Sequence, residues 1–255
     1  MIIAGSDSGG GAGIQADIKA VTCLGGYAMT AITAVTVQNT LGVSAIHAIP
    51  PEIVAAQMRA CIDDIGVDAV KIGMLGSYEI MFAVADALAG VAVPIVLDPV
   101  MIAKGGASLI DDDAAQAMIE RLLPLASVIT PNTPELAELT GTEIEDAADA
   151  LLAAQELLNA GPRAVLAKGG HLPGNILTDW LVTRGGHQAF TSARVDSRHT
   201  HGTGCTLASA LACGLGQGLP LEAAVIRARA FVAQGIARAP GFGGGHGPLG
   251  FYPLP

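Results

Sequence analysis

Met1-Ile2-Ile3-Ala4-Gly5-Ser6-Asp7-Ser8-Gly9-Gly10-Gly11-Ala12-Gly13-Ile14-Gln15-Ala16-Asp17 opens the chain. Its first four residues are apolar and read as a core strand, the glycines as a tight turn, and the residues beyond as the start of a helix. Strand, turn and helix make the first half of a βαβ unit. No basic region precedes the strand, so it is not a signal peptide; its abrupt start leads us to expect a few residues upstream. The rhythm then repeats. Short apolar runs fall at 1–4, 69–73, 94–98, 126–130 and 163–168, and helical stretches at about 12–24, 51–65, 78–90, 112–122 and 144–160. Such alternation predicts an α/β fold, a mostly parallel central sheet with helices on both faces.

Two stretches break the rhythm. Residues 28–49 read as two Thr/Val/Ile-rich strands around Gln38-Asn39-Thr40-Leu41-Gly42, either a small β lid off the main sheet or an ordinary edge. Residues 175–194 read as a hairpin turning at Arg184-Gly185-Gly186. Helices at about 204–216 and 220–238 follow, then a Gly/Pro-rich tail from Gly241. With no repeat and no long linker, residues 1–255 read as a single domain.

Composition narrows the function. Apolar residues make up 51% and aromatics only 4%, so Ala, Val, Ile and Leu must fill the core. A formal charge of −10 argues against nucleic acid as a partner, but not against nucleotides, which backbone N–H groups and a few cations can hold. No apolar run approaches a membrane span. Cys23, Cys61, Cys205 and Cys213 show no paired spacing, which fits reduced thiols in a cytoplasmic protein. Lysines number only four, Lys19, Lys71, Lys104 and Lys168, so each one near a motif carries weight.

The strongest chemical signal is His199-Thr200-His201-Gly202-Thr203-Gly204-Cys205-Thr206 at the start of a late apolar helix. The glycines permit close backbone approach, and the helix start favours an anion such as phosphate. A thiol in that turn sits where a thiolate would be stabilised. Packing alone, with Cys205 as a small core residue, is the competing reading. Gly11 to Ala16 matches a dinucleotide fingerprint, but the next acid after Asp17 is Glu52, too far on for the ribose contact. The turn still reads as one that binds a small polar ligand. No P-loop, hydrolase elbow or zinc motif is present.

Other candidates end strands. Asp98 closes Pro94-Ile95-Val96-Leu97-Asp98, a placement that suits a ligand group or a plain turn residue. In Thr130-Pro131-Asn132-Thr133-Pro134-Glu135, Asn132 and Glu135 can cap the next helix or help order Mg²⁺ and its waters. Lys168-Gly169-Gly170-His171 offers a cation to a phosphate or simply precedes a turn. On one edge of a parallel sheet, these pieces together imply phosphoryl transfer with Mg²⁺.

These motifs, with Val37-Gln38-Asn39-Thr40, Lys71-Ile72-Gly73-Met74-Leu75 and Asp98-Pro99-Val100-Met101, resemble the bacterial hydroxymethylpyrimidine/phosphomethylpyrimidine kinases of thiamine biosynthesis, in the ribokinase-like superfamily, almost end to end. The resemblance implies a ribokinase-like fold. It also implies phosphorylation of 4-amino-5-hydroxymethyl-2-methylpyrimidine and then of its monophosphate, with ATP and Mg²⁺. It assigns the pyrimidine to Gln38, Gly5, Asp17, Met74 and Val100; Mg²⁺ and the triphosphate to Asp98, Asn132, Glu135 and Lys168; and the phosphoryl in flight to Gly202, Thr203 and Gly204. It implies a homodimer through residues 28–49. Cys205 stands where sugar kinases of this fold place an Asp base. A pyridoxal kinase, whose usual G-T-G-D would put Asp at position 205, and a non-catalytic vitamin-precursor binding protein are the rival readings.

Overall fold

The computed structural model describes residues 1–101 and 112–252; Lys104 lies outside them. The strands are β1 (Ile2–Asp7), β2 (Thr30–Asn39), β3 (Gly42–Ala48), β4 (Val70–Ile72), β5 (Ile95–Leu97), β6 (Val128–Ile129), β7 (Ala164–Ala167), β8 (Ile176–Thr183) and β9 (Gly186–Ala193). They form one sheet in the order β3-β2-β1-β4-β5-β6-β7-β8-β9. Pairings from β2 through β7 are parallel, and the outer hairpins β2–β3 and β7–β8–β9 are antiparallel.

The helices are α1 (Gly13–Cys23), α2 (Pro51–Asp64), α3 (Tyr78–Ala87), α4 (Asp112–Ala117), α5 (Thr133–Thr140), α6 (Ala147–Asn159), α7 (Thr203–Gly216) and α8 (Leu221–Ala237). A π-helical turn, Met118–Leu122, continues α4. Successive strand residues face opposite layers, as a pleated strand requires. Leu97, Ile129 and Val165 pack with Met58, Met81, Leu122 and Leu157 on one face. Val96, Val128 and Leu166 pack with Leu207, Leu211, Val225 and Phe231 on the other. Burial of each such large side chain contributes about 1.5–3 kcal/mol. From Thr206 to Gly214 every residue of α7 is buried. Its Ala208, Ala210, Ala212 and Gly214 let α1 and α8 approach closely, which explains a core with few aromatics.

Residues 28–49 take the edge position. β2 runs along β1 with a register shift between Ala4 and Ser6, and β3 is the outermost strand. The hairpin is therefore continuous with the sheet and not a separate layer. Only its far end, from Val37 onward, runs past the last β1 pairing at Asp7 and Thr36.

Candidate active site

The carboxyl ends of the parallel strands meet at one edge, where open α/β sheets bind ligands. Asp98 follows β5 and is 1% exposed. Its Oδ1 accepts from Lys168 Nζ at 2.9 Å and from Thr130 Oγ1 at 3.0 Å. Burial alone would raise this carboxyl, but Lys168 and Lys71 hold it below its ordinary value. Lys168 follows β7; burial opposes its charge, while Asp98 and Glu135 hold it above the usual ammonium range.

Asn132 and Glu135 form the capping box of α5, with Asn132 Oδ1 accepting from the Glu135 amide and Glu135 Oε2 from the Asn132 amide. Glu135 Oε2 also stands 3.9 Å from Lys168 Nζ. Burial pushes the Glu135 carboxyl up to about 7, against the pull of Lys168. The capping role is thus present, and it leaves Glu135 beside Lys168 at the site edge.

The turn before α7 meets this group. Gly202 is the N-cap, with φ +81° and no side-chain cap on the helix start. That φ is left-handed, and a Cβ there would run into the Gly11 carbonyl oxygen. A Cβ on Gly204 would lie 3.3 Å from Lys168 Nζ and 3.6 Å from Asp98 Oδ2. Backbone N–H donors, a helix dipole and a lysine thus converge where an anion is favoured.

Cys205 differs from the local expectation. Its environment is desolvated, and burial pushes the thiol up to about 11 despite Lys71 nearby. Burial outweighs the helix start, so a neutral thiol is the resting form and the expected thiolate is corrected. Asp17 also departs from the pocket-lining role. It is fully buried and receives hydrogen bonds from Lys71 Nζ at 2.8 Å and Ser209 Oγ at 2.7 Å. Burial raises its carboxyl, opposed by Lys71 and Ser209. Met74 and Val100 cluster with Ala34 and Val43, and a Cβ on Gly5 would stand 3.1 Å from Met74 Sδ.

The first glycine turn is not an open anion hole. The Asp7 carboxylate accepts from the amides of Gly9, Gly11 and Ala12 at 2.7, 3.0 and 2.8 Å. His201 Nε2 lies 2.9 Å from Asp7 Oδ2. Burial would raise the Asp7 carboxyl, but His201 and these amides together hold it below its ordinary value. Gln38 stands at the far end of β2, its Nε2 3.4 Å from His201 Nε2 and its Oε1 3.0 Å from Thr36 Oγ1. Asp7, Thr36 and His201 had no role in the sequence reading. A buried Asp at the head of a glycine turn was the available signal, because so many free N–H groups need an acceptor.

This edge, on a sheet of this order, is that of the ribokinase-like phosphotransferases, and comparison with known proteins agrees. The family model described as phosphomethylpyrimidine kinase matches residues 7–250, and the chain belongs to that family. A hydroxymethylpyrimidine/phosphomethylpyrimidine kinase from Streptomyces coelicolor is 49% identical over 250 residues, covering 98% of this chain and 92% of that protein. The crystal structure of a phosphomethylpyrimidine kinase from Clostridium difficile is 40% identical with TM-score 0.81, covering 91% of this chain and 96% of the other. A Staphylococcus aureus pyridoxal kinase, solved with AMP-PCP and pyridoxal, is 32% identical with TM-score 0.89, covering 97% and 91%. The protein is a kinase of α/β fold.

Proposed function

We propose that the protein transfers the γ-phosphoryl group of ATP to the hydroxymethyl oxygen of 4-amino-5-hydroxymethyl-2-methylpyrimidine, and a second one to the monophosphate, in thiamine biosynthesis. The observation that carries this is a small apolar cluster beside Gln38 together with an anion-favouring edge. Met74 and Val100 pack with Val43, which pairs with Gln38 across the hairpin; Gly5 adjoins Met74; and Gly204 adjoins Lys168 at the edge. An amide suits the pyrimidine because it both donates and accepts. Gly202, Thr203 and Gly204 offer backbone N–H groups to the phosphoryl in flight, and Lys168 neutralises its charge. As the new O–P bond forms, the bond to the β-phosphate oxygen breaks and ADP departs; in the first step the hydroxyl proton is released to solvent, and in the second the attacking phosphate oxygen has none to lose. ATP as phosphoryl donor is in keeping with the AMP-PCP bound by the S. aureus relative.

Among the described residues no three His, Cys, Asp or Glu side chains form a metal cage. Mg²⁺ usually arrives with phosphates and waters and takes only one or two carboxylates, so Asp98, Glu135 and Asn132 fit a phosphate-borne ion. Bound there, it would offset negative charge on the transferring group. Its charge would also favour ionised Glu135, whose proton burial now helps to retain.

The test is incubation with Mg-ATP and the pyrimidine alcohol, followed by mass spectrometry. Monophosphate and then diphosphate are expected; phosphorylation of pyridoxal alone would overturn the reading. Pyridoxal as an added substrate is favoured by the S. aureus likeness and is the second arm of the same assay.

Because the Cys205 thiol is neutral, the chemistry leans on positioning and charge stabilisation, which suit phosphoryl transfer. In the second step the attacking oxygen already belongs to an anionic phosphate. Cys205→Asp would set a carboxylate beside that dianion. We expect the second step to fall roughly tenfold further than the first, from like-charge repulsion. Equal losses in both kcat/KM values would remove this explanation.

We further propose a homodimer through residues 28–49, where Val35, Val37 and Ile46 are exposed on the edge hairpin, and a cytoplasmic location. Among the described residues no helix is long and apolar enough to cross a membrane. The whole chain, 1–255, would act as one kinase domain.

A further inference from the structure

Gln38 is held between two partners whose hydrogens are already committed. Thr36 Oγ1 lies 2.9 Å from the Ser6 carbonyl oxygen, which can only accept, so the single Thr36 hydroxyl proton goes there. Toward Gln38, that hydroxyl is therefore an acceptor. At the other end, His201 Nε2 faces the Asp7 carboxylate at 2.9 Å. A carboxylate that takes three backbone N–H groups is itself an acceptor, so His201 Nε2 carries a hydrogen. That hydrogen is spent on Asp7, and a protonated ring nitrogen keeps no lone pair in the plane, so toward Gln38 His201 Nε2 cannot accept. With Nε2 toward His201 and Oε1 toward Thr36, Gln38 turns its N–H groups to a nitrogen that cannot accept them and sets acceptor against acceptor at Thr36. A half-turn of the amide about its last bond gives Thr36 a donor, brings the amide oxygen beside the polarised Nε2–H of His201, and leaves the shape unchanged.

We infer that Thr36 and the Asp7–His201 pair are positioning residues that lock the Gln38 amide with its oxygen toward His201 and its NH₂ toward Thr36, and so fix which way round the substrate ring lies. The inference rests on the pyrimidine reading above. Along the ring edge, the order is ring nitrogen, the carbon bearing the amino group, then the carbon bearing the hydroxymethyl. The locked amide donates to the ring nitrogen and accepts from the amino group. The amino group then lies on the His201 side, with the hydroxymethyl next beyond it. His201 directly precedes Gly202, so this polarity aims the hydroxymethyl at the anion turn. The reversed amide would favour the opposite direction and aim the 2-methyl there instead. Asp7, Thr36 and His201 are 2%, 3% and 6% exposed, so water cannot readily replace these partners.

The test uses the aminopyrimidine and its 4-oxo counterpart, whose ring N–H and carbonyl reverse both hydrogen bonds. Wild-type kcat/KM should favour the amino compound by on the order of 10⁴, as expected of a site built on paired polar groups. Thr36→Val and His201→Leu act on opposite ends of the amide and free it to turn. Each should shrink that preference by about tenfold or more, with a gain on the oxo compound. Packing damage alone would lower both substrates together and leave the ratio standing. An unchanged ratio in Thr36→Val and His201→Leu overturns the inference. Thr36→Val, nearly isosteric, decides the matter if His201→Leu does not fold. A wild-type enzyme inactive on the aminopyrimidine overturns the function itself, a result distinct from an unchanged ratio.

Discussion

Lys71→Met should lower the melting temperature by on the order of 10 °C in circular dichroism. Lys71 is 1% exposed and donates to Asp17, which is fully buried. Burial alone would lower the Lys71 ammonium, and Asp17, with Asp98 beyond it, holds it above its ordinary value. Removal of one partner of a buried ion pair costs about 3–5 kcal/mol, and each kcal/mol moves the melting point of a protein this large by about 2–4 °C. The loss should depend on pH. Stranded without Lys71, Asp17 keeps a folded pKa above its unfolded value, because burial already raises it. The folded variant then binds more protons than the unfolded chain above the ordinary Asp range. Its stability is greatest below that range and falls as pH rises through the folded pKa. Lys71→Met should thus be nearer to wild type at about pH 5 than at about pH 8. Asp17→Leu combined with Lys71→Met removes both charges and should recover much of the difference. A melting point within about 2 °C of wild type for the single variant would show that the pair is not needed for stability.

Gly202→Ala should leave a folded protein with kcat reduced on the order of 10²–10³, the scale of a lost oxyanion-type donor. The residue has φ +81°, and its missing Cβ is where the Gly11 carbonyl oxygen sits. Strain of this kind costs about 1–3 kcal/mol. The chain would relieve it by moving the α7 start away from Lys168 and Asp98. Steady-state kinetics beside thermal unfolding separates the two effects. Near-normal kcat with a lowered melting point would show that the donors survive the shift and that the turn serves packing alone.

Much of this architecture was legible in the residues because each central strand is a short apolar run bounded by polar or glycine residues. The 94–98 run became β5 with Asp98 at its carboxyl end, and 175–194 became β8 and β9. Long-range relations were harder. Whether the 28–49 hairpin joined the sheet depended on pairing with β1, which local pattern does not encode. Helix α5 spans only Thr133–Thr140, too short for a periodic signal, and only its capping box announced it. Asp17 was assigned to the ligand pocket, whereas Lys71, 54 positions on, takes its carboxylate. One clue was present: a lysine inside the apolar strand Val70-Lys71-Ile72 must find a buried acid. Cys205 was read from its place at a helix start, and surrounding burial reversed that reading. His201 and Thr36 gain meaning only when three distant segments meet at Gln38.

That meeting of distant segments bears on how the protein is made. Asp7 joins His201 across 194 positions, and Asp17 joins Ser209 across 192. His201 in turn pairs its amide with Gly247, and the His246 amide with Thr40. During synthesis, a ribosome-tethered chain ending near β9 would hold the sheet strands but lack α7 and the tail. Its β1 turn would have no histidine, and Asp17 would lack Ser209. Because chains grow at about 5–20 residues per second, such a partial kinase persists for seconds with an incomplete centre. Catalytic competence should therefore appear late and abruptly, only once α7 and the residues through Gly247 have left the exit tunnel.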